Sequence, residues 1–334
     1  MYNCVMNKNR NVYVLVFILI LITLLASCSI GTDVTYSNED RIASIPSDAE
    51  KVTPETDEYK PRMHSDEFHD PVPVEAISSA GAEDSAFIPI DRDELYFMFV
   101  KDVREEPSVQ IRDMVNGIWV SKRTDAGWSE PELVVLQESN KLALNGAQFA
   151  FGNELYFVSA REDYEGLTWF RAERIDGKWQ NWEPVYFEID DDINFENNFP
   201  PIEVGEFHIH DNTIYFHSDY PEGEGNLDIW AAELDGNRLS NLRNLHDINT
   251  PFLEGWPYIS SDGQELWYTG EYNGVAAVYR MKKTDKGWGD KELMVSNFAG
   301  EPTLDSEDNL YFTHHYFRDG VMIEADIYVA YRRN

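Results

Sequence analysis

Leu95-Tyr96-Phe97 is the first of five copies of a short apolar and aromatic signature in this chain of 334 residues. The other copies are Leu155-Tyr156-Phe157, Ile214-Tyr215-Phe216, Leu266-Trp267-Tyr268 and Leu310-Tyr311-Phe312. A supersecondary unit repeated in tandem cannot bury its apolar face alone and must pack against its neighbours. The signature therefore predicts an array of packed repeats.

Each repeat reads as four short strands joined by turns. Strand A is a short apolar stretch such as 256–260, and strand B is the signature itself. Strand C carries a second aromatic pattern, as in Asp228-Ile229-Trp230, and strand D follows a turn such as Asp176-Gly177. Asp-Gly between apolar runs is a strong hairpin signal because both residues tolerate positive φ. No segment shows a helical period, so the prediction is an all-β fold.

The spacing of the signature predicts a single five-bladed β-propeller of four-stranded antiparallel blades. The copies begin 60, 59, 52 and 44 residues apart, and a four-stranded blade needs about 40–50 residues. The fifth repeat reaches Asn334 just after strand C. We therefore expect residues 71–77, near the start of the folded domain, to complete the last blade as its outer strand. This closure would remove an exposed sheet edge.

One repeat resembles those of a known family. Residues 257–269, Pro-Tyr-Ile-Ser-Ser-Asp-Gly-Gln-Glu-Leu-Trp-Tyr-Thr, are similar to the WD-repeat-like propeller repeat of TolB and of many bacterial envelope proteins. Strand C matches at Asp228-Ile229-Trp230 and Asp326-Ile327-Tyr328, and the resemblance covers about residues 80–334. It implies a propeller in an envelope setting but no single activity. Because TolB-type propellers usually have six blades, six is the alternative to a count of five.

Residues 1–27 read as a lipoprotein signal peptide. Lys8 and Arg10 form a positive region, and residues 12–26 are uncharged and mostly apolar. Leu25-Ala26-Ser27-Cys28 resembles a bacterial lipobox, which implies cleavage before Cys28 and lipidation of its thiol. The alternative is a transmembrane anchor, but the apolar run is shorter than the ~20 residues that span a bilayer. Ser29 after the cysteine implies, by the same resemblance, the outer membrane, at its periplasmic face or at the cell surface.

The next segment, residues 28–70, is predicted to be a disordered acidic tether, because it is polar and shows no apolar period. The propeller would then occupy residues 71–334. The formal net charge of −34 disfavours nucleic acid and anionic headgroups, so we expect membrane contact through the lipid alone. Only Cys28 would remain after cleavage, which excludes a disulfide and a thiolate metal site.

Two kinds of side chain recur at the predicted channel mouth, where the D–A and B–C connections of a propeller meet. Tyrosines follow strand B in four repeats, at Tyr164, Tyr220, Tyr272 and Tyr316. Carboxylates lie near the start of strand A, at Asp84, Glu206, Glu254 and Glu301, with Trp256 beside the third of them. Tyrosine rings can stack on sugar or peptide, and carboxylates can bind Ca²⁺ or protonated amines. The structural alternative is that the tyrosines wedge between blades.

These features predict a non-catalytic envelope protein that binds or scaffolds a protein, peptide or glycan at the mouth. No cofactor is expected, with Ca²⁺ as an option. The alternative is a five-bladed glycoside hydrolase whose carboxylates are Glu206, Glu254 and Glu301. Against it, the second repeat has Gly146-Ala147-Gln148 where an acid would stand. Inward carboxylates about 5–10 Å apart in a deep channel would favour the enzyme, and a mouth filled by side chains would favour the binder.

Histidines and tryptophans receive structural interpretations. His208 and His210 share one face of a strand, while His217, His314 and His315 end strands B. The alternative is a metal site on the mouth face, with Glu301 and Asp219 close to these histidines. Their spacing matches no metal motif, so we predict ordinary strand histidines and no metal site. Trp128, Trp179 and Trp288 recur at the start of strand D and are predicted to pack one blade against the next.

Overall fold

The computed structural model describes residues 35–139, 141–190 and 202–333. The repeats belong to the unit formed by residues 35–137 and 141–334. The predicted signal peptide and Cys28 lie outside the described residues. Within these residues, no helix has the length and apolar character needed to cross a membrane.

Each signature copy lies on the second strand of an antiparallel unit, and we name these units the first to the fifth repeat. Strands A are β3 (Ala82–Phe87), β8 (Ala143–Phe151), β13 (Phe207–His210), β17 (Glu254–Ile259) and β22 (Ala299–Leu304). Strands B are β4 (Glu94–Val100), β9 (Glu154–Arg161), β14 (Thr213–Ser218), β18 (Glu265–Tyr272) and β23 (Leu310–Arg318). Strands C are β5 (Gly117–Thr124), β10 (Thr168–Ile175), β15 (Asp228–Asp235), β19 (Val275–Thr284) and β24 (Val321–Ala330).

The outer strands are shorter and less regular. Strands D are β6 (Gly127–Trp128) with β7 (Glu132–Leu133), then β11 (Lys178–Pro184), β16 (Arg238–Asn244), and β20 (Gly287–Trp288) with β21 (Glu292–Ser296). The remaining strands are β1 (Arg62–Met63), β2 (Val72–Pro73) and β12 (Glu188–Ile189), and the helices of the described residues are α1 (Asn38–Ser44) and α2 (Pro107–Gln110). The prediction of an all-β fold is confirmed.

The burial of the signature residues follows from the alternation of side chains along strand B. Side chains at positions one and three of a strand point to the same face. The first and third residues of all five copies, from Leu95 and Phe97 to Leu310 and Phe312, are completely buried. Four of the five middle residues are also buried, Tyr215 being the exception. Strand B is therefore covered on both faces, as expected for sheets stacked against neighbours.

The recurrent tryptophans pack between repeats, as predicted. Trp179 of the second repeat contacts Tyr96 of the first, with ring centroids 6.5 Å apart. Trp128 of the first repeat contacts Tyr311 of the fifth at 6.0 Å. Trp288 packs at the edge of a cluster that includes buried residues of the third and fourth repeats. The first repeat thus touches both the second and the fifth.

The outer strand of the last repeat comes from the N-terminal side of the domain, as predicted. β2 pairs antiparallel with β24, placing Val72 opposite Val329 and Pro73 opposite Tyr328. The Val74 N–H donates to the Ile327 carbonyl at 2.9 Å. β24 also pairs in parallel with β3 at Ala325 and Ala82, so the fifth and first repeats share a sheet.

The predicted tether is wrong for residues 35–70, which are ordered against the repeats. α1 begins with a capping box, in which Ser37 and Asp40 exchange side-chain and backbone hydrogen bonds. β1 pairs with β21 of the fourth repeat. Phe68 is 1% exposed and packs edge-on against Trp267 at 6.0 Å.

Ion pairs with the repeats explain why the polar segment 35–70 is ordered although its composition predicts a tether. The Arg41 guanidinium is buried and lies 2.7 Å from the Glu83 carboxylate. Lys51 pairs with the buried carboxylates of Glu324 and Asp326 on β24. Charged residues that suggest solvation in the sequence are here partners of opposite charges on the repeats.

Candidate functional site

The site begins with a β-bulge shared by the strands A. The pairing with strand B shifts register between Asp84 and Phe87, and at the equivalent positions of the second, fourth and fifth repeats. One residue inside each bulge has a positive φ, at Ser85, Ala147, Trp256 and Glu301. Non-glycine residues adopt this conformation only where the surroundings impose it. A bulge re-aims side chains, and bulges are common beside functional sites.

One small cavity is lined by the residues at and beside these bulges. Its volume is about 50 Å³, and all five strands A, or the residue just before one, contribute to the lining. Its polar lining residues include Ser85, Gln148, Glu206 and Glu301, and the indole of Trp256 lies beside them. We call this space the acidic pocket. It brings together three carboxylates predicted from the sequence, because Asp84 adjoins the same group.

Glu301, which lines the acidic pocket, is close to two side chains that do not line it, Asp84 and His315. Asp84 Oδ1 lies 3.3 Å from His315 Nε2. Glu301 Oε2 accepts hydrogen bonds from the Ser85 N–H at 2.8 Å and from the Thr313 hydroxyl at 2.9 Å. One polar atom from each of Asp84, Glu301 and His315 lies within 4.8 Å of those of the other two.

The carboxyl groups of this pocket have divergent pKa values. Burial, and then the charge of Asp84, raise the pKa of Glu206 to about 8. Burial and the charges of Asp84 and Glu206 raise the pKa of Glu301 well above its ordinary value. Burial alone would raise the pKa of Asp84, but the adjacent His315 imidazolium more than offsets it and lowers the pKa. Burial opposes ionisation of His315, yet Asp84 raises the pKa of the ring. The pocket therefore concentrates charge that needs a counterion or protons.

Gln148 is the second-repeat residue at the place where an acid was expected. It is 5% exposed, and its Nε2 donates to the Ser85 carbonyl. Its Oε1 is buried with no hydrogen-bond partner among the described residues. Because an unsatisfied buried acceptor costs about 1–3 kcal/mol, this oxygen requires an explanation.

The floor of the acidic pocket is a layer of rings from successive strands A. Phe87 and Phe149 lie 5.1 Å apart, Phe149 and His208 5.1 Å, and His208 and Tyr258 4.6 Å, between centroids. The His208 Nδ1 accepts a hydrogen bond from the Ile259 N–H at 3.1 Å, and burial lowers the pKa of the ring to about 3. We call these four residues the ring layer. It confirms that His208 is a core histidine.

A second cavity lies beyond the ring layer, where strands A run into their A–B hairpins. Its volume is about 150 Å³. Its lining is largely apolar and includes Ile90, Phe151, Ile209 and Ile259. Ile90 is 49% and Phe151 54% exposed. We call it the hairpin pocket, and no sequence pattern indicated it.

Glu254 does not join the acidic pocket. It is 1% exposed and accepts hydrogen bonds from the Thr250 N–H at 2.8 Å and the Thr250 hydroxyl at 2.7 Å. Lys291 lies 3.5 Å away. Glu83 makes the same bonds with Ser79 in the first repeat. Glu254 therefore has a structural role, because it holds the loop at Thr250, before strand A, in place.

The four tyrosines divide into two pairs. Tyr220 and Tyr316 are buried; Tyr316 donates to the Asp326 carboxylate at 3.0 Å, and Tyr220 packs against Trp230. Burial removes these two from any ligand-stacking surface. Tyr164 and Tyr272 are exposed, at 39% and 38%. His315 enters the sequence-based prediction only through the alternative of a metal site with Glu301. Its contact with Asp84 was not predicted, because that contact arises only when the first and fifth repeats meet.

Comparisons with known proteins are weak. No protein-family model and no curated protein sequence matches the chain. Among solved structures, TolB from Acinetobacter baumannii is 12% identical, with a TM-score of 0.44, over 76% of this chain and 55% of that one, so the match spans about half of TolB. The catalytic domain of Coprinopsis cinerea GH62 alpha-L-arabinofuranosidase is 10% identical, with a TM-score of 0.45, over 76% of this chain and 91% of that one. A thermostable family-43 glycoside hydrolase is 14% identical, with a TM-score of 0.37, over 53% and 65%. At such scores, none of these similarities assigns an activity.

Proposed function

We propose that the chain is a five-bladed β-propeller and a non-catalytic binding protein of the bacterial envelope, lipid-anchored through Cys28 at the outer membrane. The count of five is supported by the acidic pocket, to which all five strands A contribute. It is further supported by the contacts of the first repeat with the second and the fifth.

The observation that carries the non-catalytic assignment is the filling of the space between the strands A. The ring layer separates an acidic pocket of about 50 Å³ from the hairpin pocket. A space of 50 Å³ holds an ion or a few waters, since a water needs roughly 10–15 Å³ measured in this way. A sugar ring does not fit there, and a glycoside hydrolase must hold one between its carboxylates.

The partner contact belongs at the hairpin pocket rather than at the predicted tyrosine-lined mouth. Exposed apolar residues that rim a cavity are typical of interaction sites. The hairpin pocket has the volume of one large apolar side chain, and its apolar lining favours a protein or peptide over a glycan. Of the four tyrosines predicted at the mouth, Tyr164 and Tyr272 are exposed. We therefore propose an envelope protein or peptide that inserts an apolar side chain beside Phe151.

In vivo photo-crosslinking tests this placement. A photoreactive amino acid would replace Phe151 in one variant and Tyr164 in a matched variant on the mouth side. We expect one defined crosslinked envelope species from position 151 and none from position 164. Ile90→Asp in the same chain should abolish that product while leaving the melting temperature unchanged, because Ile90 is half exposed. Crosslinking from position 164 and not from position 151 would mean that the partner binds at the mouth.

A glycoside hydrolase remains the second candidate because Asp84 and Glu206 have their pKa values shifted in opposite directions. Such a pair is what acid and base roles require. Purified protein would be assayed against a panel of aryl glycosides and plant and bacterial polysaccharides. We expect no turnover above background. Turnover that Glu206→Gln abolishes would overturn the non-catalytic assignment.

A further inference from the structure

We propose that Asp84, Glu301 and His315, beside the acidic pocket, form a binding site for a divalent transition-metal ion, Mn²⁺ or Zn²⁺. The three residues come from β3, β22 and β23, so the ion would join the first repeat to the fifth. The site is independent of the partner contact proposed at the hairpin pocket.

The spacing of the donor atoms suits an ion. Asp84 Oδ1 and His315 Nε2 are 3.3 Å apart, and the atoms of all three residues lie within 4.8 Å of one another. Ligands at about 2.0–2.1 Å from a tetrahedral ion are separated by about 3.3 Å. An ion placed between these atoms would have three protein ligands.

Gln148 provides a second, separate indication of a ligand. Its side chain is only 5% exposed and lines the same cavity, and its Oε1 lacks a partner among the residues that the structure describes. An amide oxygen is an ordinary ligand for Mn²⁺, directly or through a bound water. A metal ion or its water would satisfy an acceptor that the surrounding protein leaves unpaired.

The surroundings also orient the ligands. The Thr313 hydroxyl and the Ser85 N–H donate to Glu301 Oε2, and the Ser85 N–H lies 3.0 Å from Asp84 Oδ1. Hydrogen bonds of this kind fix metal-binding carboxylates in place. Glu206 lines the same cavity and offers a further carboxylate.

The donor set selects the type of ion. One imidazole with carboxylate and amide oxygens suits Mn²⁺ and Zn²⁺, whereas Ca²⁺ prefers a shell of oxygens only. The two carboxylates balance the charge of a divalent ion. The sequence-based expectation was that there is no metal site, with Ca²⁺ as an option. We propose Mn²⁺ or Zn²⁺ instead.

The test is metal binding to the purified chain after treatment with a chelator. Mn²⁺ is titrated and followed by electron paramagnetic resonance, with Zn²⁺ and Ca²⁺ as competitors. We expect saturable binding of one Mn²⁺ ion per chain. Zn²⁺ should displace this Mn²⁺, and Ca²⁺ at the same concentration should not. Glu301→Gln and His315→Asn should each weaken binding about tenfold or more. Glu165→Gln, in an exposed loop, should bind as the parent does.

Three outcomes would overturn the proposal: no saturable binding of Mn²⁺ or Zn²⁺ at millimolar concentrations, binding of Ca²⁺ in preference to both, or unchanged affinity in the two ligand variants. Circular dichroism would establish that each variant is folded. If a ligand variant does not fold, Gln148→Leu approximately keeps the volume of the side chain and removes the unpaired oxygen. We expect Gln148→Leu to bind Mn²⁺ more weakly, and full affinity there would also contradict the site.

Discussion

At the scale of single residues, a carboxylate on strand A has a role set by its position relative to the bulge. Glu301 occupies the positive-φ position and faces the acidic pocket. Glu254 stands two residues before the equivalent position and instead binds Thr250. A shift of one or two residues along a bulged strand changes the direction of a side chain. Similar acids in similar sequence contexts therefore have different surroundings.

Glu206 gives a prediction on pH dependence. Its pKa is 4.5 as an ordinary glutamate and about 8 in the folded chain. A carboxyl with a raised folded pKa contributes stability below pH 4.5, and that contribution is lost as the pH rises to 8. The parent loses this contribution as the pH rises and Glu206→Gln does not. We therefore expect the melting temperature of Glu206→Gln minus that of the parent to increase with pH over this range, by about 2–4 °C for each kcal/mol that the parent loses. Thermal melts at several pH values with chelator present would measure it.

The control for this experiment is Glu165→Gln, whose side chain is exposed. Its melting temperature should follow that of the parent at each pH. Parallel profiles for Glu206→Gln and the parent would mean that the folded protein does not raise the pKa of Glu206.

The residue scale also marks the limit of what could be predicted. The positions of Leu95 and Phe97 in the core follow from strand alternation, which is a local rule. Asp84, Glu206 and Glu301 were identified because their place near strand A repeats. The contact of Asp84 with His315, 231 residues later, depends on the meeting of the first and fifth repeats. No local pattern encodes such a contact.

At the scale of elements, the most informative segment is residues 35–70. Its polar composition predicts a tether, yet α1 and β1 are fixed to the repeats. The Arg41 guanidinium lies over the ring of Phe99 at 4.9 Å and is paired with Glu83. Propensity and composition cannot show this, because the stabilising partners lie on strands far along the chain. β2, which carries the apolar Val72, was recognisable because the fifth repeat lacked a strand D.

Arg41 therefore provides a prediction about this segment. Removing one partner of a buried ion pair leaves an unpaired charge and costs about 3–5 kcal/mol. We expect Arg41→Met to lower the free energy of unfolding by this amount in urea denaturation. The double variant Arg41→Met with Glu83→Gln should recover part of the loss, because no charge is then left unpaired. A single variant as stable as the parent would mean that α1 is detached in solution.

At the scale of the whole molecule, the fold places two chemically different cavities at the two ends of the strands A. The acidic pocket concentrates carboxylates, and the hairpin pocket is apolar. Phe87, His208 and Tyr258 of the ring layer line both cavities and lie between them. The difference in lining is why we propose an ion at one end and a macromolecular partner at the other.

The proposed envelope location gives a prediction for the whole protein. If Cys28 carries lipid, then Cys28→Ser should move the protein from the membrane fraction to the soluble fraction. Fractionation and immunoblotting would measure the shift, with the parent chain and a known outer-membrane lipoprotein as references. A Cys28→Ser variant that still sediments with membranes would refute lipid anchoring.

The most direct test of the central claim is a crystal structure of the chain from Cys28 onward. We expect the strands A of five repeats to surround one small cavity in which Asp84, Glu206 and Glu301 meet, with the ring layer closing it. A sixth unit, strands A that do not converge, or a channel open from end to end and wide enough for a sugar ring would contradict the account.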